Sequence, residues 1–237
     1  PIPTRSEVVT RLTKDKNRMH TEALKSQDAV NKNNMKQRLT HIKSTAMPLP
    51  FRNVDTDQIL PARYLKQVKR EGFGEYLFRD WRFTADDKPK KESVFHDPVY
   101  QGSRILLTGD NFGAGSSREH AVWSLVDYGF QAVVSSFYAD IFKNNALNNR
   151  LLPVEVPEEF LQKLFDAVEE DPKTKFIIDV EEQMISVPEK NLASAFPLNR
   201  YKKECFLYGY DDITYLQNHR DEIEAFEKKR KNDFSLV

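Results

Sequence analysis

Two hydroxyls, a guanidinium, a carboxylate and an imidazole stand together in Gly109-Asp110-Asn111-Phe112-Gly113-Ala114-Gly115-Ser116-Ser117-Arg118-Glu119-His120-Ala121. Serines beside a planar arginine fork suit the binding of a carboxylate or a phosphate. The run before it, Arg104-Ile105-Leu106-Leu107-Thr108, reads as a short buried strand. After it, Ala121, Val122, Leu125 and Val126 recur at helical spacing, and Gly129 supplies a stop. A glycine-rich loop therefore delivers these side chains to a helix N-terminus, where free N–H groups and a partial positive charge attract anions. Ser116 and Glu119 also fit the capping-box spacing. The residues alone allow an anion-binding loop or a plainly capped helix, and they do not specify the anion.

Better-known loops are excluded. A phosphate-binding P-loop needs Gly-Lys-Ser/Thr, and no lysine lies here. A dinucleotide fingerprint needs a third glycine where Arg118 stands. A serine-hydrolase elbow needs glycine two residues after the nucleophile, which neither Ser116 nor Ser117 has.

The elements that must hold this loop follow a strand–helix alternation. Gln131–Ser136 and Leu151–Val156 read as further strands, with a helix from Tyr138 to about Asn149 between them. That order implies a parallel sheet, with the loop at a strand's C-terminal end, where open α/β sheets bind ligands. Pro157–Glu169 reads as an amphipathic helix through Phe160, Leu161, Leu164, Phe165 and Val168. Phe176–Val180 and Met184–Val187 are predicted strands, and Arg200 to about Lys229 is predicted to be mostly helical. Upstream, a strand is expected near Thr40–Ala46, broken by Pro48 and Pro50, ahead of a turn at Asn53–Asp57. Of Phe73, Tyr76, Leu77, Phe78 and Trp81, most are expected to pack as core at a helix edge.

Charge narrows the classes of function. The 36 Lys and Arg balance 36 Asp and Glu, which gives no overall push toward nucleic acid or an anionic membrane. Residues 1–43 nevertheless hold ten basic and four acidic residues, a net of +6, leaving −6 for the rest. Residues 1–34 read as a disordered basic extension, with docking on RNA or an acidic partner as its functional alternative. No signal peptide or membrane-length apolar run is visible. One cysteine, Cys205, excludes an internal disulfide, suits a reducing cytoplasm, and reads as a small buried hydrophobe.

The string Asn-Phe-Gly-x-Gly-Ser-Ser-Arg-Glu-His-Ala at 111–121 resembles the signature of the aconitase superfamily's swivel domain. Asn53-Val54-Asp55-Thr56-Asp57-Gln58-Ile59-Leu60-Pro61-Ala62-Arg63-Tyr64-Leu65-Lys66 and Gly72–Arg82 extend the likeness to the small-subunit family of bacterial 3-isopropylmalate dehydratases. The resemblance runs from about Met35 to the C-terminus, so 35–237 is expected to be the domain. Ala114 departs from it, since many relatives carry cysteine there.

The resemblance implies an α/β fold: a swivelling β/β/α domain with a parallel βαβαβ core and a helical C-terminal segment. It implies a hydro-lyase of leucine biosynthesis that interconverts 2- and 3-isopropylmalate through isopropylmaleate. The implied [4Fe–4S] cluster would sit on a separate large subunit, because one cysteine cannot hold it. The two subunits would form a heterodimer or heterotetramer that takes a small dicarboxylate. Ser116 would be the base, with Ser117, Arg118, Lys66 and Arg63 as substrate contacts and no metal ligand in this chain. Asp57, Gly113, Gly115, Glu119 and His120 would support them, Asp57 by orienting Arg118 or Ser116 and His120 by orienting or packing rather than as an acid–base group. Lys69 and Arg70 are weaker contact candidates, and the Arg63–Gly74 loop is expected to be partly disordered without its partner. Relatives acting on methylmalate (citraconate) or homoaconitate share the serine loop, so the substrate stays open among them. The long Gly72–Arg82 segment favours the leucine enzyme.

Overall fold

The computed structural model describes residues 38–66 and 71–234. The expectations for residues 1–34, and for Lys69 and Arg70, lie outside the described residues, as does the core of the Arg63–Gly74 loop. Residues 39–207 form one compact unit, and the chain from Tyr208 onward belongs to a second.

The first unit contains two sheets. β1 (His41–Ser44) and β2 (Ala46–Leu49) follow one another but belong to different sheets. The single strand expected over 40–46 is thus two, and Pro48 lies inside the second rather than ending it. Among the described residues β2 pairs only with β3 (Ile105–Thr108), so Pro48 sits on a sheet edge, where a missing N–H costs no ladder bond. The sheet continues through β4 (Ala132–Ser135) to β5 (Leu152–Glu155), every pairing parallel. Pro153 occupies the opposite edge. All four residues of β3 and of β4 are buried, as a sheet covered on both faces requires.

Two apolar layers cover it. On one face, α3 (Glu119–Tyr128) and α4 (Asp140–Asn148) join Leu106, Val133, Phe112, Phe142, Leu77 and Phe78. Two further helical turns, α1 (Thr56–Ile59) and α2 (Arg79–Arg82), border this layer. Phe73, Leu77 and Phe78 are fully buried as expected, although they sit in a 3₁₀ turn and its exit rather than along a helix edge. On the other face, Ile105, Leu107, Val134 and Val154 meet α5 (Glu158–Glu170) through Leu161, Leu164 and Val168. The second sheet completes this layer, in the order β1, β6 (Phe176–Asp179), β7 (Met184–Val187), β8 (Leu192–Ala195), all antiparallel. The result is the β/β/α layering with a parallel βαβαβ core at β3-α3-β4-α4-β5. The C-terminal stretch is mostly helical as expected, as α6 (Arg200–Tyr208), α7 (Asp212–Asn218) and α8 (Arg220–Phe234). Cys205 on α6 is buried.

Candidate active site

Loops leaving the C-terminal ends of β2, β3 and β4 lie side by side and are joined through their backbones. Gly109 N–H donates to Phe51 O at 3.1 Å, Asn53 N–H to Asp110 O at 2.9 Å, and Gly113 N–H to Val54 O at 2.8 Å. On the other flank Phe112 N–H donates to Phe137 O at 3.3 Å, and Ala139 N–H to Phe112 O at 3.1 Å. The serine loop is thereby held between its neighbours before any side chain contributes. Gly113 adopts φ +77°, and a Cβ there would lie 2.1 Å from Phe142 Cγ, so no other residue fits. Gly115 (φ +90°) makes the next left-handed step, with no such crowding.

The helix itself starts at Glu119, with Arg118 as an extended N-cap whose side chain makes no capping bond. The capping box expected of Ser116 and Glu119 is therefore absent: Glu119 is the first helical residue, where the box requires the third. Its carboxylate instead accepts Asn149 Nδ2 at 2.6 Å. Ser116 and Ser117 are exposed, and their hydroxyls make no hydrogen bond among the described residues. Their carbonyls are engaged. Ser116 O accepts Thr56 Oγ1 at 3.2 Å, and Ser117 O accepts Asn145 Nδ2 at 3.3 Å.

Arg118 is one-quarter exposed and donates through Nη1 to Asp57 Oδ1. The same carboxylate oxygen accepts Ala62 N–H at 2.9 Å, so it ties the arginine to the turn that leads to Lys66. The hydrogen bond from Arg118 holds the Asp57 carboxyl below the ordinary carboxylate range. Asp55 plays a different part. It caps α1, accepting Asp57 N–H at 2.7 Å and Gln58 N–H at 2.8 Å while Gln58 bonds back. Turn chemistry thus explains Asp55, whereas Asp57 is bonded to the arginine.

The remaining candidates separate. Lys66 is exposed and has no partner among the described residues. Arg63, read as a second substrate cation, is committed to a two-pronged bond with Asp80, one arm at 3.0 Å, and lies 4.7 Å over the Tyr64 ring. That pairing raises the guanidinium's pKa further. His120 packs between rings, 5.4 Å from Phe73 and 4.4 Å from Trp123, and has no hydrogen bond among the described residues. Among the described residues no cluster of three or more His, Cys, Asp or Glu could hold a metal ion. No helix among them is long and apolar enough to cross a membrane.

Sequence reasoning passes over Thr56, Asn145 and Asn149. Thr56 is legible only as the middle of an Asp-Thr-Asp turn, yet it is buried and aimed at the serine loop. Asn145 and Asn149 are four residues apart on one stretch, a spacing that puts two amides on one helix face.

A family model described as the aconitase C-terminal domain matches residues 36–159. The chain is 50% identical over 192 residues to the 3-isopropylmalate dehydratase small subunit of Azobacteroides pseudotrichonymphae, covering 81% of this chain and 98% of that one. It is 54% identical over 190 residues to the small subunit of the same name from Christiangramia forsetii, covering 80% and 92%. The crystal structure of a 3-isopropylmalate dehydratase from Methanocaldococcus jannaschii is similar to 79% of this chain and 99% of its own, with a TM-score of 0.55 and 26% identity. With the serine loop set at the end of a β/β/α domain, the chain belongs to the aconitase C-terminal domain family and, within it, to the 3-isopropylmalate dehydratase small subunits.

Proposed function

We propose that this chain is the small subunit of a 3-isopropylmalate dehydratase and supplies the base and the carboxylate grip for isomerising 2-isopropylmalate to 3-isopropylmalate in leucine biosynthesis. The observation that carries this is the exposed Ser116 hydroxyl, uncommitted to the helix cap, on a backbone-braced loop beside an Asp57-anchored Arg118.

The reaction removes a proton from carbon next to a carboxylate, releases the hydroxyl from the adjacent carbon as water to leave a double bond, and then adds water back in the other sense. A serine hydroxyl is a weak base unless its anion is stabilised. The N–H groups of Ser117 and Arg118, which make no hydrogen bond among the described residues, with the helix's partial positive charge, favour that anion. Arg118 cannot swing freely while Asp57 holds it, so one arm of its fork stays fixed and the rest can meet a substrate carboxylate. Lys66 brings a second cation for a dianionic substrate.

An iron–sulfur cluster does not fit this chain. The chain has one cysteine, it is buried on α6, and such clusters take several thiolates. The Lewis-acid half of the chemistry is assigned to a large-subunit partner, and the protein is active only in that complex. The test is anaerobic mixing with a cluster-loaded large subunit, following isopropylmaleate formation for wild type and Ser116→Ala, with methylmalate as competitor. Activity that requires both chains and collapses in the variant supports the assignment. Preference for methylmalate overturns the substrate, and wild-type activity in Ser116→Ala overturns the base.

A further inference from the structure

Two consecutive carbonyls of the serine loop are each held by a side chain from a different element. Thr56 Oγ1, on α1, donates to Ser116 O at 3.2 Å; Asn145 Nδ2, on α4, donates to Ser117 O at 3.3 Å. The donor atom at Asn145 is settled by chemistry, because a carbonyl oxygen can only accept. No peptide among the described residues is cis. In a planar trans peptide the C=O and the following N–H point in opposite directions. Turning Ser117 O toward Asn145 therefore turns Arg118 N–H away from α4. In the same way, turning Ser116 O toward Thr56 turns Ser117 N–H away from α1. Neither N–H makes a hydrogen bond among the described residues. A serine oxygen and the N–H two residues on are the pair joined in a common local turn, and Arg118 stands two residues after Ser116.

We infer that Asn145 is a positioning residue for the reaction: by holding the Ser117 carbonyl it aims Arg118 N–H at the Ser116 oxygen and stabilises the serine in its anionic form. This role rests on Ser116 being the base. Asn145 never touches substrate. It sits half-buried on α4 and, through its own backbone carbonyl, also accepts Asn149 Nδ2 at 2.9 Å, a bond that a side-chain replacement leaves in place. Loss of the side chain frees one peptide to rotate without opening a core cavity. Asn145 differs in this from Phe142, one turn earlier, whose ring is buried.

The test compares wild type, Asn145→Ala, Asn145→Gln and Asn145→Asp in the assembled enzyme, measuring kcat, KM and the pH dependence of kcat with isopropylmalate. Removing one indirect support of an anion-stabilising donor should lower kcat by roughly tenfold in Asn145→Ala. KM and the complex's melting temperature should stay near wild type. The ascending limb of the pH profile should move upward, by about one pH unit for a tenfold loss, because a less stabilised serine anion forms only at higher pH. Asn145→Gln keeps a donor and should recover much of the rate. Asn145→Asp sets an acceptor against an acceptor and should be worse than alanine. Should Asn145→Ala fail to fold, the Gln and Asp pair still gives the ordering. An unmoved pH limb with unchanged kcat, or Asp equal to Gln, overturns the role while the functional assignment stands. An inactive wild-type complex overturns both.

Discussion

Replacing Gly113 by alanine tests whether the serine loop is held by shape. At φ +77° any side chain carries the left-handed penalty of about 1–2 kcal/mol. The added methyl would also sit 2.1 Å from Phe142 Cγ, 2.4 Å from its Cβ and 2.5 Å from Cδ2. These atoms are at the root of a buried ring that packs edge-on against Phe112 at 5.1 Å, so no rotamer change relieves the clash. Either the loop or α4 must move, at a further cost of about 1–3 kcal/mol. Gly102 provides the control: its φ is +78°, with nothing within 4 Å of an added methyl, so Gly102→Ala carries the backbone term alone. For a chain of this size each kcal/mol lowers the melting temperature by about 2–4 °C. Gly113→Ala should therefore melt roughly 2–12 °C below Gly102→Ala, the difference being the steric term. Because α4 carries Asn145, the same displacement should also lower kcat, by up to about a hundredfold if the loop shifts by an ångström. Thermal and urea unfolding of both variants, with activity in the assembled enzyme, make the measurement. Equal stability of the two alanine variants would refute the claim that Phe142 walls the loop.

Two further outcomes follow from the charged groups. The Asp57 carboxyl is held below its unfolded value, so its contribution is present above about pH 3.9 and is lost as pH falls through the lower folded value. The stability gap between wild type and Asp57→Asn should be flat from neutral pH to about pH 4 and close only in stronger acid. Its size should be at most about 1 kcal/mol, because the Asp57 side chain is 58% exposed. A gap that closes near neutral pH in urea titrations would contradict the pairing with Arg118. Lys66→Ala should raise KM for isopropylmalate by roughly 10- to 100-fold, the worth of a lost charge-assisted contact. Arg63→Ala should raise it far less, because Asp80 already occupies that guanidinium. Equal effects in steady-state kinetics would mean that Arg63 leaves Asp80 when substrate binds.

The parallel core is readable because both its faces are covered, which writes the strands as short apolar runs such as Ile105-Leu106-Leu107 and Ala132-Val133-Val134. Gly129 marks the end of α3 for a backbone reason, since its φ is +115°. The beginning of the domain is harder to read, because local chemistry and tertiary position disagree there. Pro48 reads as a breaker, yet the sheet edge accepts it, and only knowledge of which strand lies outermost could have said so. β8, Leu192–Ala195, alternates between half-buried and exposed residues and carries too little apolar signal to declare itself.

The side chains of the site are more legible than their partners. Ser116, Arg118 and Asp57 emerge from motif likeness, and the Asp57–Arg118 contact joins residues 61 positions apart that no local rule links. The capping box fails for an instructive reason. A serine three residues before a glutamate satisfies the local pattern, but the pattern presumes the helix starts beside the serine. Here the left-handed steps at Gly113 and Gly115 and the grip on the Ser116 and Ser117 carbonyls keep the chain out of the helix until Glu119. The helix then begins too late for Ser116 to cap it. A hydroxyl withheld from the cap is what the proposed serine base requires, so the local rule is broken at the residue whose proposed chemistry depends on breaking it.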